Sequence, residues 1–185
     1  MTITLRQALT SDHPVMVGSV QRWWGDSRTP EQARELSLLL PKLFLQHFAG
    51  TSLVALAEDD DGTETVAGFL VGFHSADQPD VAYIHFVGVD PQRRGLGIAR
   101  TLYRQFFAAA ERAGKLVVHA VTSPGNTGSI AFHRALGFRL LPGDRTVDNA
   151  DDTGNTDDVT VHSDYDGEGQ DRVCFELALG SPGDR

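Results

Sequence analysis

The sequence predicts an α/β chain with a mixed central sheet of about seven strands flanked by helices, and three observations carry that prediction. The runs Thr51–Ala57 and Thr65–Phe73 are joined by Asp59-Asp60-Asp61-Gly62, a turn whose residues tolerate positive φ, so they form an antiparallel hairpin. The runs Val81–Val89 and Leu116–Val121 are separated by a stretch of helical periodicity, which is how strands are linked by a crossover. No segment repeats another, so hairpin and crossovers belong to one sheet in one domain of 185 residues.

The elements follow in order. Thr2–Ala8 alternates apolar and polar residues and reads as a strand. Ser11 or Asp12 then offers an N-cap, Pro14 suits the first turn, and the helix runs to about Trp24, ended by Gly25. Leu36, Leu39, Leu40, Leu43, Phe44, His47 and Phe48 fall on one face of a second helical stretch, which Pro41 splits or kinks and Gly50 stops. After the hairpin, Asp90-Pro91 ends the third long strand. Ile98, Leu102, Phe106, Ala109, Ala110 and Ala113 trace the buried face of the next helix, capped by Gly114. Pro124-Gly125-Asn126 leads from the Leu116–Val121 strand into a short helix with Phe132, Ala135 and Leu136 inward. Gly137 ends it, Phe138–Leu141 is a strand, and Arg172–Leu179 closes the sheet.

Charge is unevenly placed. The formal net charge is −9, which excludes affinity based on neutralising nucleic-acid phosphates and a basic membrane-surface module. Residues 144–171 hold ten acids and one base, Arg145, so the remainder is balanced. The single cysteine, Cys174, excludes an internal disulfide and suits a reducing compartment. There is no secretory h-region, and no apolar run approaches a membrane span, so a cytoplasmic protein is expected.

The strongest chemical signal is the junction Val87-Gly88-Val89-Asp90-Pro91-Gln92-Arg93-Arg94-Gly95-Leu96-Gly97-Ile98-Ala99. Two glycines at a helix start let backbone N–H groups approach an anion, the helix dipole adds positive potential, and Arg93 and Arg94 add full charges. This suits a pyrophosphate. It is not a Walker loop, because no Gly-Lys-Ser/Thr follows. It also fails the dinucleotide fingerprint, since Arg100 stands at the third glycine position and no carboxylate lies between Glu111 and Asp144.

Gln92 to Gly97 resembles the Gln/Arg-x-x-Gly-x-Gly/Ala signature of the GNAT superfamily of acyl-CoA-dependent N-acyltransferases. Asn126-Thr127-Gly128-Ser129-Ile130-Ala131-Phe132-His133-Arg134-Ala135-Leu136-Gly137-Phe138 is similar to the same family's second block, an asparagine followed by a short helix ending Leu-Gly-Phe. The resemblance covers about residues 2–141 and 172–179 and leaves the acidic segment unexplained. It implies a sheet splayed where acetyl-CoA, the co-substrate, binds. The pantetheine amides would pair with backbone at Val87, Gly88 and Val89, and the pyrophosphate would sit on N–H groups from Arg94 through Gly95, Leu96, Gly97 and Ile98 to Ala99. Asn126 would contact the cofactor near the thioester, and the N–H near Val87 would hold the oxyanion.

Acyl transfer to an amine needs a base for the ammonium and benefits from an acid for the departing thiolate. The family often places a tyrosine acid seven residues after the asparagine, where this chain has His133. An imidazole of pKa about 6.5 is a different acid from a phenol of about 10. Tyr83 and His85 alternate on one strand face and look like the proton-relaying pair that some members carry there. On the neighbouring strand Val121 stands in place of the glutamate of some protein N-terminal acetyltransferases, and His119, two residues earlier, is expected on the same face, on the substrate side. Trp23 and Trp24 are expected beside the acceptor. No ligand spacing among His85, His119 and His133, and no EF-hand pattern at Asp164–Glu168, supports a metal.

The expectation is an N-acetyltransferase acting on a primary amine of a small molecule by direct attack. The alternatives are a protein N-acetyltransferase and a catalytically silent acyl-CoA-binding or interaction module. Members of the family are often homodimers, but no segment here identifies an interface. The acidic insertion either concentrates a cationic amine or keeps a solvated loop soluble.

Overall fold

A computed structural model describes residues 2–24, 29–59, 62–148 and 158–180. The elements are β1 (Thr2–Gln7), α1 (His13–Trp23), α2 (Pro30–Ser37), α3 (Lys42–His47), β2 (Leu53–Glu58), β3 (Glu64–His74), β4 (Val81–Val89) and α4 (Ile98–Arg112). They continue with β5 (Val117–Thr122), α5 (Thr127–Ala135), β6 (Arg139–Leu140), β7 (Arg145–Val147), β8 (Val159–Val161) and β9 (Val173–Ala178). Seven strands form one mixed sheet in the order β1-β2-β3-β4-β5-β9-β6, and β7 pairs with β8 in a second, two-stranded sheet. The expected sheet is therefore present. Gly25, Asp60, Asp61 and the acids at 151, 152 and 157 lie outside the described residues.

Two units make up the chain, one of residues 1–74 and 84–113, the other of residues 75–83 and 114–185. In the first, β1 and β3 flank β2, both antiparallel to it, and the register shifts between Ala55 and Leu56 so that Ala67 bulges. Met16, Val20 and Trp23 of α1 pack on Val54, Phe69 and Val71, joined by Leu40 and Leu45. Arg6 and Asp12 meet in a two-pronged ion pair of 2.7 and 2.8 Å. Asp12 also accepts from the Leu9 N–H at 2.7 Å, so its side chain braces the entry to α1 rather than capping it.

Pro41 splits the second helical stretch into α2 and α3, as expected. The single apolar face does not survive the split. Leu39 and Leu43 are exposed and Leu45 is buried, because extended backbone at Pro41 resets the helical phase. In α4 the buried face is Ile98, Leu102, Tyr103, Phe106 and Ala110, with Tyr103 inward instead of Ala109 and Ala113.

In the second unit β9 lies between β5 and β6, antiparallel to both. Ala120 and Leu140 sit opposite Phe175, and His119 and Arg139 opposite Glu176. Strand alternation therefore puts Cys174 and Glu176 on one face and Val173 and Phe175 on the other. The inward residues of α5 are Ile130 and His133, one position out of phase with the expected Phe132, Ala135 and Leu136. The acidic segment is no plain loop where it is described, since Val159 and Val161 of β8 are fully buried.

Candidate active site

The junction between β4 and α4 is built by one arginine and two glycines. Asp90 caps the turn at Pro91–Arg93 by accepting from Gln92 N–H at 3.0 Å, and its other oxygen accepts from Arg93 at 3.1 Å. The second guanidinium nitrogen of Arg93 donates to Asp59 at 3.0 Å, tying the loop to the end of β2. Arg93 is thus a strut held by two carboxylates, whereas Arg94 beside it is exposed. Gly95 and Gly97 adopt φ of +79° and +77° with open space where a Cβ would stand, so the backbone conformation, and no steric crowding, demands glycine. Gly88 differs, because a Cβ there would press on the rings of Phe69 and Trp23.

The first bond inside α4 runs from Thr101 N–H to the Gly97 carbonyl at 3.0 Å, and Gly97 has no side chain with which to cap. The N–H groups of Ile98, Ala99 and Arg100 therefore emerge from the helix end without a helical carbonyl behind them. Arg94, Leu96 and Arg100 are exposed beside them. Uncapped donors, a 15-residue helix dipole and exposed guanidinium groups give this helix end the positive potential that favours an anion.

His85, half-buried on β4, has a defined tautomer. Its Nε2 lies 2.6 Å from the Leu39 carbonyl, which can only accept, so Nε2 carries the hydrogen and Nδ1 the lone pair. The ring stacks on Phe44 at 4.1 Å and 8°. The two tryptophans of this unit pack against other rings. Trp23 is 6% exposed and stacks on Phe69 at 5.8 Å, and Trp24 is half-buried with its ring edge-on to Phe86 at 6.0 Å.

In the second unit the histidines do not gather. His133 is 4% exposed, stacked on Phe175 at 4.5 Å and 7°, and its Nδ1–H donates to the Ser129 carbonyl at 2.8 Å. Desolvation lowers its pKa from the usual histidine value, so it is a neutral core ring. That corrects the expected inward face of α5. His119 lies on the opposite sheet face, where its Nε2 is 3.0 Å from Glu176. His119 first, then Arg139, hold that carboxyl below the ordinary glutamate range against some desolvation. Asn126 caps α5 by accepting from Ser129 N–H at 3.1 Å, which leaves its carboxamide donors exposed.

Tyr83 is half-buried, and desolvation pushes its phenol well above the ordinary range, so it keeps its O–H. Its partner is the phenol of Tyr165, a residue sequence reasoning passed over. Burial likewise pushes the neighbouring Cys174 thiol up to about 11. Tyr165 sits on a braced turn. Asp164 takes φ of 53° and accepts from Gly169 N–H at 2.6 Å, Asp166 pairs with Arg172 at 2.6 Å, and Asp171 accepts from Asp164 N–H at 3.1 Å and pairs with Arg145. Asp144 accepts from the Ser163 hydroxyl at 2.9 Å. Four of the insertion's acids are thus internal hydrogen-bond anchors. The signal for the turn was the glycine spacing at Gly167 and Gly169 after Tyr165. Among the described residues no cluster of three or more metal-ligating side chains occurs, and no helix is long and apolar enough to cross a membrane.

The model of the Acetyltransferase (GNAT) family matches residues 17–138, more than half of the chain. An L-2,4-diaminobutyric acid acetyltransferase of Nocardia farcinica is 30% identical over 97 residues, which cover 52% of this chain and 48% of that protein. The chain spans about half or less of the length of the first curated relatives it matches. The structure of a PaiA N-acetyltransferase from Thermoplasma acidophilum in complex with coenzyme A superposes with a TM-score of 0.68 at 15% identity, covering 96% of this chain and 99% of that one. A diaminobutyrate acetyltransferase from Paenibacillus lautus, in complex with L-2,4-diaminobutyric acid and coenzyme A, gives 0.59 at 17% identity, covering 96% and 95%. At these identities the two structures speak for the fold.

Proposed function

The chain belongs to the acetyltransferase (GNAT) family, and on that premise we propose that it transfers the acetyl group of acetyl-CoA to the primary amine of a small molecule by direct attack in a ternary complex. The observation that carries the reading is the uncapped start of α4, where N–H groups and exposed arginines fit a pyrophosphate. Arg94, Gly95, Leu96, Gly97, Ile98 and Ala99 are its proposed ligands, the backbone of Val87, Gly88 and Val89 pairs with the pantetheine amides, and Asn126 donates from its carboxamide. The Val87 N–H polarises the thioester carbonyl as the amine attacks.

The amine must first lose a proton, and His85 is the proposed base. Its Nδ1 takes the proton directly or through water while Nε2–H stays on the Leu39 carbonyl. His119 and Tyr83 are proposed as acceptor-side hydrogen-bonding groups. As the carbon–nitrogen bond forms and the carbon–sulfur bond breaks, CoA leaves as the thiolate and takes up a proton from solvent, giving the free thiol. L-2,4-Diaminobutyrate heads the list of acceptors to try, because relatives carry that substrate in their names.

Calorimetry with acetyl-CoA, followed by CoA-thiol release with a panel of amines led by L-2,4-diaminobutyrate, tests the proposal. Binding with turnover supports it. Failure of acetyl-CoA and CoA to bind or to raise Tm overturns it. The buried, neutral His133 favours one other reading, a silent acyl-CoA-binding module, which binding without turnover on any amine would select.

A further inference from the structure

His85 is held more closely than packing on a strand requires. Its Nε2–H donates to the Leu39 carbonyl at 2.6 Å, and the next carbonyl along, Leu40, accepts from His13 of α1 at 2.7 Å. The short connector ahead of Pro41 is therefore pinned by two imidazoles, one from β4 and one from α1. On the other side, Phe44 covers the His85 ring face to face at 4.1 Å and 8°. Phe44 is itself confined, with Phe48 at 5.8 Å and Phe73 at 6.2 Å, and those two rings are 5.2 Å apart. The imidazole is thus fixed about both of the motions open to it, rotation out of plane and exchange of its two nitrogens.

We infer that Phe44 is a positioning residue for His85, and that with the Leu39 carbonyl it locks the Nε2–H tautomer so that Nδ1 alone accepts a proton. The hydrogen bond to Leu39 needs only Nε2–H, which both the neutral ring and the imidazolium possess. His85 can therefore take up and release a proton at Nδ1 without letting go of its anchor. A ring held by a side chain that could accept or donate would lack this property, because the partner could change role with it. A backbone carbonyl cannot. The inference rests on the reading of His85 as the base in acetyl transfer.

The 185-residue chain labelled with 15N at histidine, observed by NMR in the wild type and in Phe44→Leu and Phe44→Tyr, tests the lock directly. The wild type and Phe44→Tyr are expected to give the shifts of a single Nε2–H tautomer at His85. Phe44→Leu is expected to give tautomer-averaged shifts. With the best amine of the panel, kcat of Phe44→Leu should fall between about 10-fold and 100-fold, the loss expected of a displaced reacting group, with KM for acetyl-CoA unchanged. Phe44→Tyr should restore it. A single Nε2–H tautomer retained in Phe44→Leu, or a mixture already in the wild type, overturns the inference whatever the activity. A locked tautomer in a wild type that releases no CoA thiol with any amine overturns the base and leaves the clamp standing, so the two failures are told apart.

Discussion

Replacing His133 by phenylalanine separates a core histidine from a catalytic one. The ring is 4% exposed, lies parallel to Phe175 at 4.5 Å and donates its Nδ1–H to the Ser129 carbonyl at 2.8 Å. Phenylalanine keeps the shape and the stack and loses that bond, a net change of about 1 kcal/mol at most near neutral pH. The larger difference is in pH dependence. Burial lowers the native pKa below the ordinary value near 6.5, so between those two values the unfolded chain holds a proton that the native chain does not. The stability from this group is complete above about pH 6.5 and is lost as pH falls toward the native value. Between pH 7.5 and 5.5 the loss cannot exceed about 1.4 kcal/mol, the limit set by one proton over the one unit below 6.5. Guanidinium unfolding followed by the fluorescence of Trp23 and Trp24, at the two pH values, reads it. The wild type should lose up to that amount more than His133→Phe, and the variant should keep its turnover. Equal losses in both would refute the burial argument, and a stable His133→Phe without turnover would restore the ring as the acid.

Two further outcomes follow from the loop geometry and the insertion. Arg94→Ala is expected to weaken acetyl-CoA binding and flatten its salt dependence, whereas Arg93→Ala, by removing the strut between Asp90 and Asp59, should lower Tm and leave the salt slope unchanged; calorimetry across salt concentrations and thermal unfolding compare them. At Gly143 a Cβ would fall on the backbone of Val161, which is fully buried, so Gly143→Ala should cost about 2 kcal/mol or more in denaturant unfolding, while Gly128→Ala, with open space, should cost far less.

What the sequence revealed depended on punctuation. Asp59 to Gly62, Asp90-Pro91, Gly114 and Gly137 mark ends that the structure keeps, because glycine and proline act on the backbone within a residue or two. The glycine loop proposed to hold the pyrophosphate was legible for the same reason. Faces were harder. Nine residues of α5 make two and a half turns, too few to fix a phase, and a histidine at an inward position does not look apolar. At Pro41 the phase restarts, which no periodicity count across it can register. Long-range pairing left no local trace: Arg93 finds Asp59, 34 residues earlier, and Tyr83 finds Tyr165. Charge counting located the acids but could not single out the four that serve as anchors, since an aspartate held by a nearby N–H or arginine looks identical in sequence to one facing water.

The β7–β8 pairing has a practical side. Val147 and Val159 sit opposite each other, so the chain leaves the hairpin at Asp148 and returns at Asp158 within about a strand spacing. The two described ends are thus held together by the paired strands, and for any flexible insert between fixed ends each doubling of length adds only about 0.6 kcal/mol of closure entropy. That makes the stretch the natural place to splice in a purification tag, a fluorophore-bearing peptide or a small reporter domain. A graft there would leave Tyr165 and its turn on the far side of the paired strands.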